Sequence, residues 1–511
     1  MNKRLLRIIS FIVVVTVAVL LLMEATRRDD MIDTSDLNLS FHYSNPKPVD
    51  ASNATKIDIN ENDDYKIDIS KISRCIDNNY FSVCTNSDTV TQPLYDLYDK
   101  NGILVLDCDS ESEIKCNEQI AIIQKDGLYG AMDLAGNWII SPSYHSMDYF
   151  NEGISVVSTE TTEGTTKYGY VNNQGTTIYP IELDEATSML NQRAIVSKDG
   201  IFNIINSQGM LLINNSNYTE MQFLNSYILA RKDSLSGILD YDGNPITEFE
   251  YLSANITFST NTLILQKENT SYGLMDISGK WLLNGKEFRN IQAIQLSDID
   301  YNNNSLYLSN DAINLNNEKF SNLNKESQYD ELYLVTTQDF YQGIVDNHGN
   351  YIISPDKYTF INYIADEFVV VAQRVFYGAI DIWGNPILDE NHKAIFKVTN
   401  NSIAVKDKYN SIGIIDYNSV HNVESSYSEI LGYGDGLITA VYRDDIYPNV
   451  DPMPEEGKKF YYIDEKGNVI INCEKATNVE NFINGTAIIN YKDEYALINT
   501  NGEIILGNLS N

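Results

Sequence analysis

The sequence of 511 residues has little of what an enzyme site needs. It holds only five histidines, none in an HExxH motif or at metal-ligand spacing from a cysteine. GxSxG, P-loop and GxGxxG motifs are also absent. Carboxylate pairs are too frequent in so acidic a chain to indicate acid–base catalysis. We therefore predict a protein that is not an enzyme and has no cofactor, with weak Ca²⁺ binding left open.

Positive charge is scarce. Lysine and arginine number 36 against 71 aspartates and glutamates, for a net charge of −35. A field of this sign repels phosphate backbones, which excludes nucleic acid as an expected partner. The charge is chiefly expected to keep a large surface soluble, with a cationic partner as the less favoured interpretation.

Cysteine is also rare, and no CxxC motif occurs. This argues against a zinc ribbon or a thioredoxin-like site. In an oxidising compartment, Cys75–Cys84 and Cys108–Cys116 could close short loops. The alternative, which we favour, is that all five cysteines, including Cys473, are free core residues.

The N-terminus predicts a membrane anchor. Lys3, Arg4 and Arg7 precede an uncharged apolar run at residues 8–23, near the lower length limit for a span. Met23 stands where a cleavage site needs a small residue, so we favour an uncleaved single-pass anchor over a cleaved secretion signal. The basic flank predicts a cytoplasmic N-terminus and an extracytoplasmic remainder.

The rest of the chain divides by composition and periodicity. Residues 1–7 are the expected cytoplasmic tail, 24–60 a polar flexible stalk, 61–90 an irregular first unit or cap, and 91–506 a repeat array.

The array repeats about every 35 residues. Each copy has two apolar residues, then Asp or Asn, then Gly three positions later. The Asp or Asn positions are Asp99, Asp133, Asn172, Asn206, Asp240, Asp276, Asn314, Asp346, Asp381, Asp416, Asp464 and Asn499. The glycines that follow them are Gly102, Gly136, Gly175, Gly209, Gly243, Gly279, Gly349, Gly384, Gly467 and Gly502. Asn317 and Ser419 stand at the two remaining positions. We infer about twelve repeats.

This pattern predicts a β-hairpin. An Asp or Asn side chain starts a turn by accepting a backbone hydrogen bond two residues on. A type I turn followed by a left-handed residue, preferably Gly, is a common hairpin loop. Short apolar strands flank the turn, and 35 tyrosines with only 11 prolines suit β-structure. We therefore predict an all-β fold. The run from Asp240 to Asn244 superficially resembles a Ca²⁺ loop, but Tyr251 stands where an EF-hand needs Glu.

The repeat resembles that of the bacterial WG-repeat proteins. An aromatic–Gly pair precedes the turn at Tyr129-Gly130, Tyr168-Gly169, Tyr272-Gly273 and Tyr377-Gly378, with Tyr in place of the family's Trp. The resemblance implies a β-rich scaffold, propeller-like in one or two rings, and no catalytic residues. An open solenoid-like stack is the alternative architecture.

We expect a membrane-anchored, extracytoplasmic scaffold that binds a protein. The alternatives are a module that binds cell-envelope glycans and, least favoured, an enzyme whose site lies between repeats. The gap of 48 residues between Asp416 and Asp464 contains a Pro-rich insertion. A loop that is longer than its counterparts in the other repeats is often functional. We therefore expect Arg443, Tyr447 and Asp451 to form the candidate interaction loop.

Overall fold

The computed structural model describes four stretches of the chain: residues 54–57, 69–84, 93–294 and 329–507. Short gaps within them fall at 215, 225–226, 256, 259–260, 269–270, 330, 366–367, 399–401, 407–411, 417–421, 443–456 and 493. All regular secondary structure in the described residues is β-strand, as the repeat predicts.

The strands follow one another in small antiparallel sheets. The N-terminal strand is β1 (Thr55–Lys56). The next strands are β2 (Lys71–Arg74), β3 (Tyr80–Cys84), β4 (Tyr95–Asp99), β5 (Leu104–Ser110), β6 (Lys115–Asn117), β7 (Ile120–Lys125), β8 (Leu128–Asp133), β9 (Trp138–Tyr144), β10 (Ser146–Met147), β11 (Ile154–Glu160), β12 (Thr166–Asn172), β13 (Thr177–Leu183), β14 (Glu185–Ala186), β15 (Arg193–Lys198) and β16 (Ile201–Asn206). They are followed by β17 (Glu220–Phe223), β18 (Ile228–Lys232), β19 (Leu235–Leu239), β20 (Ser253–Asn255), β21 (Thr262–Glu268), β22 (Ser271–Asp276), β23 (Trp281–Ile294), β24 (Leu332–Thr337), β25 (Gln342–Asp346), β26 (Tyr351–Tyr358), β27 (Phe360–Ala365), β28 (Phe368–Ala372), β29 (Tyr377–Ile380) and β30 (Pro386–His392). The last strands are β31 (Ala394–Lys397), β32 (Ser402–Lys406), β33 (Ile412–Asp416), β34 (Asn422–Tyr427), β35 (Glu429–Gly434), β36 (Leu437–Tyr442), β37 (Lys459–Ile463), β38 (Val469–Cys473), β39 (Asn478–Val479), β40 (Thr486–Tyr491), β41 (Glu494–Asn499) and β42 (Ile504–Gly507).

Each repeat among the described residues forms one unit, a meander whose strands pair in chain order. Unit 1 is β2–β5, unit 2 is β6–β9 and unit 3 is β10–β13. In units 4 (β14–β16) and 5 (β17–β19), the fourth strand is reduced to isolated bridges. Units 8 to 11 are β27–β30, β31–β34, β35–β38 and β39–β42.

Units 6 and 7 share one long strand. β23 is the fourth strand of unit 6 and, beyond a register shift at Phe288, the first strand of unit 7. The described residues therefore form eleven units. The turn predicted at Asn314 and Asn317 lies outside the described residues.

Burial follows the position of a strand within its unit. The second and third strands bury side chains on both faces, as in β11 and β28, because neighbouring units cover them on both sides. The fourth strands alternate between exposed and buried side chains, as in β9. Burying one such Leu, Ile, Val or Phe side chain fully stabilises the folded state by roughly 1.5–3 kcal/mol.

Eleven clusters of buried hydrophobic side chains join the units in order. Ten of them join consecutive units, from units 1 and 2 through units 10 and 11. The remaining cluster packs Ile72, Phe81 and Val83 of unit 1 against Ile488 and Leu497 of unit 11. The packing order of the units is therefore cyclic, although each sheet is itself open.

A segment at the end of the predicted stalk is part of this structure. Thr55 and Lys56 pair in parallel with Ile471 and Asn472 at the free edge of unit 10. Residues 69–84, within the predicted cap, supply two strands of unit 1. The predicted tail, the anchor at 8–23 and the rest of the stalk lie outside the described residues. No helix among the described residues is long and apolar enough to cross a membrane.

All five cysteines are free and buried. Cys75, Cys84, Cys108 and Cys116 lie in the cluster between units 1 and 2. The structure thus agrees with free core thiols, and it forms neither of the disulfides considered from the sequence.

Candidate functional site: the turns and the side chains they expose

The repeat turn has the hydrogen bonds that its sequence predicts. At Asp133, Oδ1 accepts the N–H groups of Ala135 and Asn137, at 3.0 and 2.8 Å. The Gly136 N–H donates to the Asp133 carbonyl, and Gly136 has a φ of 86°. The described turns at Asp99, Asn172, Asn206, Asp240, Asp276, Asp346, Asp464 and Asn499 repeat both side-chain bonds.

The bond from the Gly N–H to the Asp carbonyl also recurs in other turns. These are Asp240-Gly243, Asp276-Gly279, Asp346-Gly349, Asp381-Gly384 and Asp464-Gly467. Hydrogen bonds to the carboxylate, chiefly from Asn137, hold the pKa of Asp133 below its usual value. The carboxylate oxygens therefore accept hydrogen bonds within their own turns, which is a structural role.

The turn glycine has a second role, at the contact between units. A Cβ at Gly102 would lie 2.6 Å from the Ile505 carbonyl oxygen, and one at Gly349 would lie 2.8 Å from that of Leu282. In both cases the turn packs on the fourth strand of the preceding unit, and for Gly102 that unit is unit 11. At Gly136 nothing lies within 4 Å, so there only the backbone conformation requires glycine.

The glycine of the aromatic–Gly pair permits a bulge in the fourth strand. Opposite Gly130 the register shifts, and a Cβ there would lie 2.5 Å from the Ile140 carbonyl oxygen and 2.7 Å from the Pro142 nitrogen. Gly343 meets Ile353 and Pro355 in the same way. Proline fits this bulge because it has no N–H to leave unpaired.

In units 1 and 4, where this glycine is missing, a polar side chain bonds to the bulge. Asp96 of unit 1 accepts the N–H groups of Cys108 and Asp109 at 2.8 and 2.9 Å. Asn203 of unit 4 exchanges two hydrogen bonds with the backbone of Ile213. Carboxyl oxygens of Asp96, Asp107 and Asp109 lie within 4.8 Å of one another, but the backbone bonds to Asp96 explain its position without a metal.

The loops between first and second strands link one unit to the next. Glu118 accepts the N–H of Gly153, and Asp435 accepts that of Gly485, at 3.0 and 2.6 Å. The Asn484 side chain of unit 11 donates to Asn79 of unit 1 at 2.8 Å. Burial raises the pKa of Glu118, and the Gly153 N–H partly offsets this.

The contact between units 11 and 1 contains a buried arginine. Arg74 is only 9% exposed and stacks its guanidinium 4.8 Å from the centre of the Phe81 ring. It donates to the Thr486 hydroxyl and carbonyl at 3.0 and 3.1 Å, and more weakly to Ile483 and Glu480. Burial lowers the pKa of Arg74. No repeat motif indicates this residue, since it recurs in no other unit.

Beside these structural residues the turns expose large apolar side chains that differ between units. Trp383 lies within its turn and is 61% exposed, and Trp138 follows its turn and is 39% exposed. Ile103, Met210 and Tyr351 are exposed at similar positions. Such side chains can pack on a partner but carry no reactive group. The candidate loop with Arg443, Tyr447 and Asp451 lies outside the described residues.

Two segments of the chain, residues 129–160 and 168–200, match the model of the WG containing repeat. The fold thus defines a class, the all-β repeat proteins. Within it, these two segments are similar to the repeat of the WG family.

Comparison with solved structures gives only distant similarity. A crystal structure of a eukaryotic initiation factor is 10% identical with a TM-score of 0.38, over 77% of this chain and 95% of that chain. Hsv2p of Kluyveromyces lactis is 8% identical with a TM-score of 0.25, over 53% and 91%. The designed protein Ika8 is 12% identical with a TM-score of 0.24, over 57% and 91%. These similarities carry no weight for fold or function, and no curated protein matches the chain.

Proposed function

We propose that this chain is a non-enzymatic scaffold that binds a protein, built as a single propeller-like ring of eleven units. The cyclic packing supports one ring over two rings or an open stack, because a stack leaves its two ends apart. The observation that best supports binding is that structural residues and exposed apolar residues occupy different positions in the repeat. Regular residues hold the units together, whereas exposed apolar side chains such as Trp138 and Trp383 vary from unit to unit.

We further propose that the ring is held outside the cytoplasm by a single-pass anchor at residues 8–23. The basic residues before this run and the absence of a small residue at Met23 support this arrangement. The chain would enter the ring at Thr55, beside the contact between units 10 and 11.

Affinity purification of the full-length tagged chain from detergent-solubilised membranes tests this function. We expect one protein to co-purify in near-stoichiometric amount and to be released by an excess of the untagged chain. Repeated recovery of the chain alone, after mild crosslinking as well, would contradict a protein-binding role.

A glycan-binding module is the second candidate, because exposed tryptophan faces at Trp138 and Trp383 can stack on sugar rings. Sedimentation of the full-length chain with purified peptidoglycan separates the two functions. Binding that is lost in Trp138→Ala and Trp383→Ala would favour the glycan.

A further inference from the structure

One hairpin tip carries a residue that its backbone conformation disfavours. Phe340, between β24 and β25, has a φ of 68°. The other non-glycine residues with positive φ in the described chain are polar or charged. A bulky residue in this region is strained, and such strain points to function where it is retained.

Unit 3 provides a direct comparison. Its hairpin between β11 and β12 has the same hydrogen bonds, from Gly164 N–H to the Thr161 carbonyl and from Thr165 N–H to the Thr161 hydroxyl. Unit 7 repeats these bonds at Phe340, Thr337 and Tyr341. The position of Phe340 is thus the position of Gly164, where glycine carries no strain.

Phe340 is also 60% exposed, and it is not alone. The tip of the equivalent hairpin in unit 8 exposes Val375 at 75% and Phe376, and Phe360 is exposed at the start of β27. We call Phe340, Phe360, Val375 and Phe376 the tip patch.

Contacts beside the tip patch hold the residues of the two units close together. The Gln342 side chain, two residues after Phe340, accepts the N–H of Ile361 at 2.7 Å. Phe360 packs edge-on against Tyr377, with ring centres 5.1 Å apart, and Tyr377 follows Phe376 directly.

Cationic side chains border the tip patch in a chain whose net charge is −35. The Arg289 guanidinium lies 4.0 Å from the centre of the Phe340 ring, and Lys357 lies over Tyr358. Exposed Arg374 precedes Val375. Asp339, Asp356 and Glu287 are exposed anions close to them in the chain, and Glu390 interacts with Lys357, so positive and negative charges nearly balance in this region.

We propose that the tip patch is the docking surface for a protein that presents an apolar pocket bordered by carboxylates. Aromatic residues with adjacent arginines are the composition of interface hot spots. Carboxylates of the partner would face Arg289 and Arg374. A bilayer fits less well, because Asp339 beside Phe340 would lose water and the acidic chain is repelled by anionic lipid. This inference rests on the protein-binding function proposed above and names the surface that performs it.

Photo-crosslinking in the full-length chain tests the inference in the native cell. We place p-benzoylphenylalanine at Phe340, at Phe376 and, as a control, at Leu128, which is 39% exposed at the equivalent hairpin of unit 2. One protein should be crosslinked from both patch positions and not from Leu128. The crosslinked site on that protein should be apolar and flanked by Asp or Glu. Crosslinks from all three positions alike would overturn the proposal, as would a crosslink to a second copy of the chain.

The crosslinked protein, once purified, is then titrated with the full-length variants. Phe340→Ser, Phe376→Ser and Arg374→Glu should each weaken its affinity by about ten-fold or more, while Leu128→Ser and Ile201→Ser leave it within about two-fold. Equal effects of patch and control variants would place the interface elsewhere and leave the binding function standing. If the wild-type chain captures no protein in either experiment, the proposed function fails with the inference.

Phe340→Gly separates binding from folding. It removes the strained phenylalanine, so thermal unfolding should occur at an equal or higher temperature while binding is lost. A lower unfolding temperature would show that Phe340 serves the fold and overturn the proposal. Flotation with vesicles of phosphatidylcholine and phosphatidylglycerol in a 4:1 ratio should leave the wild-type chain unbound, and flotation that depends on Phe340 would replace the protein partner with a membrane.

Discussion

Single residues in this array have roles that a shared motif conceals. Gly102 and Gly136 occupy the same turn position with φ values of 77° and 86°, but only Gly102 packs on a neighbouring carbonyl oxygen. We expect Gly136→Ala to cost about 1 kcal/mol from the left-handed conformation alone. Gly102→Ala adds a steric clash and should cost about 2–4 kcal/mol.

Chemical denaturation of the two variants and the wild type measures this difference in the free energy of unfolding. Equal losses would mean that the contact between Gly102 and Ile505 is not close in solution.

Arg74 is the polar anchor between units 11 and 1. Arg74→Met leaves the Thr486 and Ile483 acceptors without their donor, so we expect a loss of about 2–4 kcal/mol in stability. Arg231→Met breaks an exposed ion pair with Glu220 and should cost no more than about 1 kcal/mol. Thermal unfolding followed by circular dichroism compares the two, and comparable shifts would argue against a structural role for the buried arginine.

At the scale of the element, the repeat turn predicts a pH dependence. Hydrogen bonds from Asn137 and Ser278 lower the pKa values of Asp133 and Asp276. Burial alone would raise the pKa of Asp346, but hydrogen bonds from Asn350 and His348 outweigh the effect of burial, so the pKa is lowered. A lowered pKa in the folded state contributes stability above the unfolded-state pKa of about 3.9, and this stability is lost as pH falls through the folded-state value.

The triple variant Asp133→Asn, Asp276→Asn and Asp346→Asn should therefore unfold at nearly the wild-type temperature at neutral pH. Asn makes the same turn bonds at Asn172, and it does not titrate. The unfolding temperature of the triple variant should therefore fall less than that of the wild type below about pH 4. Parallel curves for the two proteins would show that the turn carboxylates do not contribute to acid unfolding.

For the whole molecule, the cyclic packing makes a prediction about residues that lie far apart in the sequence. Asn79 and Asn484 are hydrogen-bonded at 2.8 Å across units 1 and 11. Replacing both with cysteine should give a disulfide upon mild oxidation, which reducing agent reverses, and a faster band on a non-reducing gel. The native cysteines are all buried, and burial raises the pKa of Cys108 to about 12, so they should compete little for the oxidant. The pair Asn79→Cys with Asn191→Cys is the control, and crosslinking of both pairs alike would contradict the ring.

The sequence by itself determined the all-β class, the turn positions and their glycines, because these depend on hydrogen bonds within five consecutive residues. Turn chemistry at Asp133 to Asn137 is complete before any other unit is present. Asp96 and Asn203 could not be identified in this way, since each replaces a glycine by hydrogen-bonding to a later backbone segment that its local sequence does not identify. Only the tertiary structure decided that unit 11 packs on unit 1 and that β1 joins unit 10. These contacts join residues some 400 positions apart, and they form only if the small rotations between successive units add up to bring the two ends together. It also decided that Phe340 stands where unit 3 has Gly164, because the two hairpins could be equated only once their hydrogen bonds were known.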